Sequence, residues 1–256
     1  MSLLHKLLPL TLIYLITSGC ATIQGPTEEK DPLERFNRTV YEFNDGFDRL
    51  LLKPVAEGYE AAIPAPVNNR ISNIFSHIDD VIVIINDILQ LKFEQTISDI
   101  GRFTFNSTFG LFGLFDVASH MELPKHNEDF GQTLGHWGLG SGPYLVLPIL
   151  GPSTLRDGSG LLVDWQLDPI AHIEGTPERW GTITLEAVDT RAGLLRASRI
   201  LDTAALDRYV FLRDAYLQRR NNLIYDGNPP TDEMDDFDPF AEDDFDPEAG
   251  DSTPAE

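Results

Sequence analysis

The chain has 256 residues, 42% of them apolar, with 19 Lys and Arg against 41 Asp and Glu, for a formal net charge of −22. That length suits one domain of ordinary size with appendages, and the acidic balance excludes a nucleic-acid binder, which needs clustered Lys and Arg. A single cysteine, Cys20, excludes an internal disulfide.

The first predicted element is a leader. His5 and Lys6 give a short polar start, and Leu7 to Ile16 form an apolar run broken by Pro9 and Thr11. The run is too short to cross a bilayer, which takes ~20 apolar residues, and it suits a cleaved secretory signal. Thr17, Ser18 and Gly19 lead into Cys20, so residues 1–19 read as a lipoprotein signal peptide and residues 20–30 as a lipidated linker. Thr17 departs from the leucine usual at that position, and an ordinary signal with an incidental cysteine is the competing reading. Ala21 follows, where aspartate would signal retention at the inner membrane. The expected address is therefore the periplasmic face of an outer membrane, with more than one acyl chain needed for firm anchoring.

Asp31, Pro32 and Glu34 read as a helix start, with a capping carboxylate, proline at the first helical position and glutamate three after the cap. Leu33, Phe36, Val40, Phe43, Phe47 and Leu50 recur at spacings of three and four, one apolar face at helical period. Pro54 is expected to end this helix. The other face carries Arg35, Asn37, Arg38, Asn44, Asp45 and Arg49, and Glu34 can pair with Arg38 one turn on. The phenylalanine-rich face fits either a core or a lipid interface.

From Val67 to Leu89 the apolar positions again follow helical period, as one helix or as two broken near Asp79 and Asp80. Val81 to Ile85 is apolar on every side, which implies burial all round or contact with lipid; a strand competes there, and the flanking periodicity favours helix. Another helix is predicted over Phe93 to Asn106, followed by the uncharged, phenylalanine-dense run Phe109 to Phe115.

Between Glu128 and Gly160, glycines at 131, 135, 138, 140 and 142 and prolines at 143, 148 and 152 predict turns and extended backbone in place of regular helix. No lysine followed by serine or threonine completes a phosphate loop, and no serine is flanked by glycines two away on both sides, as a hydrolase elbow needs. The histidines form no close metal pair, and His136 beside Trp137 reads as structural. With no nucleophile, metal or dinucleotide motif, the chain is not expected to be an enzyme. Tyr144 to Leu150 is a hairpin-length apolar segment that either packs inside or dips into lipid.

Helices are predicted near Thr184 to Ser198 and over Asp207 to Tyr225. Arg208, Arg213, Arg219 and Arg220 make the last one the most basic stretch, open to solvation or to contact with phosphates or an acidic partner. Residues 226–256 hold 13 acidic residues, no Lys or Arg, and two copies of Asp-Asp-Phe-Asp-Pro. They predict a disordered acidic tail, either solvated or a docking segment for a basic partner.

Several ordered motifs carry a resemblance. Asp31-Pro32-Leu33-Glu34-x-Phe36-Asn37-Arg38 and Lys53-Pro54-Val55-Ala56-x-Gly58-Tyr59 come first. Then come Phe130-Gly131-Gln132-Thr133-Leu134-Gly135, Gly142 to Pro148, and Leu150 to Asp157. Over residues 31–225 the chain resembles the MlaA (VacJ) family of outer-membrane lipoproteins of Gram-negative bacteria. The resemblance implies an all-α fold: a membrane-embedded ring of amphipathic helices around a central channel, with a glycine-rich irregular loop region. It implies removal of mislocalised phospholipid from the outer leaflet, with a trimeric outer-membrane porin and a soluble periplasmic lipid-binding carrier as partners and no cofactor. It places Gly135, Gly138, Gly140, Gly142, Pro143 and Tyr144 near the channel and its loop, and Phe43 with Asn44 on a gating helix. Arg49, Arg156 and Asp157 are candidates for a polar lining or for structural ion pairs. A porin-associated scaffold that moves no lipid is the alternative.

Overall fold

The computed structural model describes residues 31–230; the predicted signal peptide, Cys20 with its linker, and the acidic tail past Pro230 lie outside the described residues. The order is α1 (Glu34–Phe47), a π-helical turn (Asp48–Leu52), α2 (Lys53–Ala62), α3 (Ala65–Leu89), α4 (Phe93–Thr108) and the single-turn α5 (Val117–His120). There follow α6 (Phe130–His136), β1 (Tyr144–Leu147), β2 (Gly151–Thr154), α7 (Leu155–Leu167), a 3₁₀ turn (Pro169–His172), α8 (Thr176–Gly193), α9 (Leu195–Ala204) and α10 (Arg208–Ile224). The fold is predominantly helical. Its one departure among the described residues is an antiparallel hairpin pairing Tyr144 with Thr154 and Leu147 with Gly151.

Packing runs from neighbour to neighbour in a closed circuit. The hairpin lies on α1 and α10, α10 on α6, α6 on α3, α3 on α8, and α8 on α2, which the π-helical turn joins back to α1. Salt bridges brace the joins: Arg191 of α8 holds Asp48 at 2.7 Å, and Arg38 of α1 reaches Asp207, the N-cap of α10, at 2.9 Å.

Three local expectations are corrected. Asp31 does not cap α1: the helix starts at Glu34 with no side-chain cap, and Asp31 is buried among tertiary partners instead. Pro54 does not end the first helical run. The wide π turn carries the chain through Asp48–Leu52, and proline then occupies the first turn of α2, where no helical N–H bond is required. Regular helix does run through the glycine-rich centre, because Gly131 and Gly135 lie in α6 and Gly158 and Gly160 in α7. His136, read as structural, is exposed at the end of α6. Of the two readings of 67–89, the structure takes the unbroken 25-residue helix.

The interior reverses the usual partition. Among the described residues 22 polar or charged side chains are buried against 10 hydrophobic ones, whereas cores are ordinarily apolar and buried charges rare. The long apolar side chains point out instead: Leu50 is 85% exposed, Phe112 81% and Ile97 72%. The face of α1 bearing Phe36 and Phe43 is the outer one, and Asn37 on the opposite face is buried. No helix among the described residues is long and apolar enough to cross a membrane.

Candidate functional site

The hairpin is fixed to α1 by side-chain amides. Asn37 donates from Nδ2 to the Tyr144 carbonyl at 3.0 Å and accepts the Val146 N–H on Oδ1 at 2.9 Å. Asn44, two turns later, repeats this with the Leu147 carbonyl at 2.9 Å and the Ile149 N–H at 2.7 Å. Asn37 thus pairs with the free edge of β1 and Asn44 with the chain where β1 runs into its turn, which satisfies backbone groups that would otherwise be orphaned. Asn37 also donates to Asp31 Oδ1 at 2.8 Å, and the Tyr209 hydroxyl donates to Asp31 Oδ2. Burial, with Asp31 second, pushes the Tyr209 hydroxyl well above its ordinary range, so it remains a donor.

Behind the hairpin, α6, α7 and α10 meet at a four-member ion cluster. Arg220 donates through Nη2 to Asp129 at 2.9 Å and to Asp157 at 2.9 Å. Arg156 donates to Asp157 Oδ1 from Nε and Nη2 at 3.0 and 2.9 Å, and the Tyr216 hydroxyl donates to Asp157 Oδ2 at 2.8 Å. Burial disfavours the charged form of both carboxyls, yet Arg220, aided by Gln132 at Asp129 and by Arg156 and Tyr216 at Asp157, holds them below the usual range. The contact exists because Gly131 and Gly160 bring α6 and α7 together: a Cβ on Gly160 would lie 2.5 Å from the Gly131 nitrogen.

The polar interior continues into α3. Asp164 accepts the Phe130 N–H at 3.0 Å and the Asn86 amide at 3.3 Å, and burial pushes its carboxyl up to about 6. Thr133 donates to Asn86 at 2.7 Å, and Gln90 donates to Glu128 at 2.7 Å. Beside them Asp87 is buried with no hydrogen-bond partner on either carboxyl oxygen, and burial together with Asp99 pushes its carboxyl up to about 8. Such an acid is protonated at neutral pH.

The residues predicted from sequence separate into two groups. Asn44, Pro143, Tyr144, Arg156 and Asp157 come together around the hairpin: the Pro143 carbonyl accepts the Leu155 N–H at 3.1 Å, and Arg156 donates to the Leu139 carbonyl at 3.3 Å. Gly135 packs against Arg156 Nη1, where a Cβ would be at 3.0 Å. Gly138 and Gly142 hold left-handed backbone at φ 89° and 66°, and Gly138 and Gly140 have open space around them. Phe43 points outward, and Arg49 is exposed and paired with Asp45 on its own helical run, away from Arg156 and Asp157.

Asp129, Arg220, Asp164, Asn86 and Tyr209 are the residues sequence reasoning missed as site members. Asn37 was read as a motif member and as part of the polar face of the first helix, without a partner; its spacing of seven from Asn44 was the available signal. No group of three or more His, Cys, Asp or Glu among the described residues is placed to hold a metal.

Comparison with known proteins bears on this arrangement. The family model for the MlaA lipoprotein matches residues 29–223. The chain is 36% identical over 229 residues to the intermembrane phospholipid transport system lipoprotein MlaA of Escherichia coli strain K12, covering 87% of this chain and 90% of that one. It is 35% identical over 199 residues to an uncharacterized protein of Rickettsia conorii, covering 77% and 79%. A solved chain from work on the structural basis for maintenance of bacterial outer membrane lipid asymmetry aligns with a TM-score of 0.67 at 34% identity, covering 76% of this chain and 98% of that one.

Proposed function

The chain belongs to the MlaA lipoprotein family, and on that premise we propose that it clears mislocalised phospholipid from the outer leaflet through an amphipathic passage and passes it to a periplasmic carrier. The observation that carries this reading is the reversed interior, with carboxylates, guanidiniums and amides inside and phenylalanine, leucine and isoleucine outside. In water that arrangement would leave a large apolar surface unburied. Against acyl chains it is the favourable one, and irregular backbone at membrane depth is tolerated only where protein or a watery cavity receives it.

Cys20 carries the anchor in this reading, and the exposed helix faces seat the domain in the outer membrane from its periplasmic side. The interior polar groups solvate a headgroup while the chains stay against apolar surface. Gly138 and Gly140 give the loop before the hairpin its freedom, and Asn44 holds the hairpin whose position sets the passage. The family resemblance supplies the porin and the soluble carrier as partners. The chain acts by transport and not by catalysis.

The test is labelling of surface-exposed phospholipid in cells lacking this protein. Deletion is expected to raise labelling and re-expression to restore it; unchanged labelling on deletion would sink the transport reading. The exposed apolar faces also suit a scaffold packed against a porin wall. Proline at Gly138 and Gly140 separates the two: a transporter loses clearance while porin association survives, whereas a scaffold shows no accumulation of surface phospholipid.

A further inference from the structure

Away from the hairpin, the start of α3, the turn after α4 and α5 line an open cavity of about 720 Å³, within the roughly 300–1,000 Å³ of small-molecule sites. One wall is polar, with Asn69, Arg70, Asn73 and His120. The facing wall is apolar, with Phe109, Leu111 and Phe115.

Arg70 joins the two walls. Its guanidinium lies 4.3 Å from the Phe115 ring centroid, and among the described residues it pairs with no carboxylate. Stacking holds the group by its face and leaves the N–H edge free, the geometry in which arginine recognises phosphate. The one acid on the lining, Asp116, does not compete for it: Arg102 donates to Asp116 at 2.8 Å, and Ser119 and Asn106 hold the same carboxylate.

The apolar wall is built under strain. Leu111 and Phe112 both adopt left-handed backbone, at φ 52° and 57°, followed by Gly113 at 84°. Bulky side chains rarely take that conformation, and it persists only where surroundings enforce it. Here the enforcement is visible. The Gly113 N–H bonds the Asn106 carbonyl at 2.9 Å, the Phe115 N–H bonds the Gly110 carbonyl at 2.9 Å, and a Cβ on Gly113 would lie 2.5 Å from the His77 Cβ and 2.6 Å from its ring. The strained turn presents Leu111 and Phe115 to the cavity.

We propose that this cavity is a phospholipid-binding site, with Arg70 on the phosphate and Phe109, Leu111 and Phe115 against the first segments of the acyl chains. The proposal rests on the transport reading and adds to it a second place where lipid is held, outside the hairpin and its ion cluster. Because a phosphate could come from a lipid or from solution, the test must separate the two.

Delipidated full-length protein in detergent is titrated with dioleoylphosphatidylglycerol, with dioleoylglycerol and with inorganic phosphate, and complexes are counted by native mass spectrometry. Phosphatidylglycerol is expected to bind wild type, to bind Arg70→Ala about tenfold more weakly, the loss that one charge-assisted contact implies, and to be partly restored by Arg70→Lys. Dioleoylglycerol should bind weakly and equally to wild type and Arg70→Ala. Equal phosphatidylglycerol binding by wild type, Arg70→Ala and Phe115→Ala would overturn the site, and tight binding of inorganic phosphate alone would overturn its lipid identity. In cells the two readings fail separately. If Arg70→Ala clears surface phospholipid normally while deletion does not, the cavity proposal falls and transport stands; if deletion changes nothing, transport falls and the binding measurements still decide the cavity.

Discussion

Asn37 and Asn44 stand two helical turns apart on α1, and each amide takes one carbonyl and one N–H from the hairpin, at Tyr144 and Val146 in β1 and at Leu147 and Ile149 where β1 enters its turn. A helix normally presents nothing that matches a strand edge. A spacing of seven residues spans ~10.5 Å of helix rise, and the two contact points, three residues apart along the hairpin, span a similar ~10 Å of extended chain. The helix therefore acts as a ruler for the hairpin.

Asn37→Ala is expected to be the more damaging of the two truncations. It strands the Tyr144 carbonyl, the Val146 N–H and one Asp31 oxygen in a buried setting, at about 2–4 kcal/mol. Asn44→Ala frees groups nearer solvent and is expected to cost about 1 kcal/mol. Denaturant unfolding in detergent measures the difference, and amide exchange should show residues 144–149 opening first in both variants. Equal stabilities would mean the clamps do not hold the hairpin.

Arg220 holds two carboxylates at once, so Arg220→Leu is expected to destabilise by roughly 3–5 kcal/mol at pH 7. The pH dependence should also change sign. In wild type, Asp129 and Asp157 sit below their ordinary range, so the native state holds fewer protons than the unfolded one and their contribution is lost as pH falls below ~4. Without Arg220, burial dominates and both carboxyls titrate high. The variant should regain stability relative to wild type between pH 7 and pH 5, a window in which Asp129 and Asp157 of wild type contribute no slope; urea midpoints of the two proteins across that range check it.

What was legible in the sequence was period, and what was not was direction. Phe36, Val40, Phe43 and Phe47 mark a helical face unmistakably, as do the apolar positions of α3, but a 3.6-residue period carries no sign: it says that a face is apolar and leaves open whether that face meets protein or lipid. The same blindness hid the site. Arg220 reads as one arginine of a basic helix, open to solvation or to phosphates or an acidic partner, until Asp129 and Asp157, far away in sequence, are placed beside it. Asp31 followed by Pro32 and Glu34 fits a cap locally, and the tertiary pull of Asn37 and Tyr209 overrode it. The glycines misled for a related reason: in α6 and α7 they permit close helix packing and do not break the helices.

Asp87 predicts a second, opposite pH effect. Its carboxyl, pushed up to about 8 by burial and by Asp99, faces Asp99 of α4, itself bonded to His126 at 2.8 Å, with Glu128 and Lys92 beyond. Between the unfolded value of ~3.9 and about 8, the native state keeps a proton that the unfolded state has lost, so this group's contribution falls as pH rises through the window. Asp87→Asn keeps the side chain's size and shape and removes the titration. The variant should gain on wild type by on the order of 2–4 kcal/mol between pH 5 and pH 8, read as the difference between two stability profiles. Parallel profiles would show that Asp87 is ionised throughout.

Alanine at three glycines separates close packing from backbone conformation and from mere flexibility. At Gly160 the added methyl would sit 2.5 Å from the Gly131 nitrogen and 2.8 Å from its Cα. Those are backbone atoms of a helix and cannot swing aside, so α6 must move off α7, loosening the Asp129–Arg220–Asp157 cluster; a loss of about 2–3 kcal/mol is expected. At Gly138 there is room, but φ is 89°, and forcing alanine into left-handed backbone costs about 1–2 kcal/mol. At Gly140 there is room and no positive φ. Alanine there should leave stability unchanged or raise it by up to ~1 kcal/mol, by restricting the unfolded chain. The order Gly160, Gly138, Gly140 in thermal unfolding tests this, and a Gly140→Ala protein that is stable yet clears phospholipid poorly would show that the loop's freedom itself serves transport.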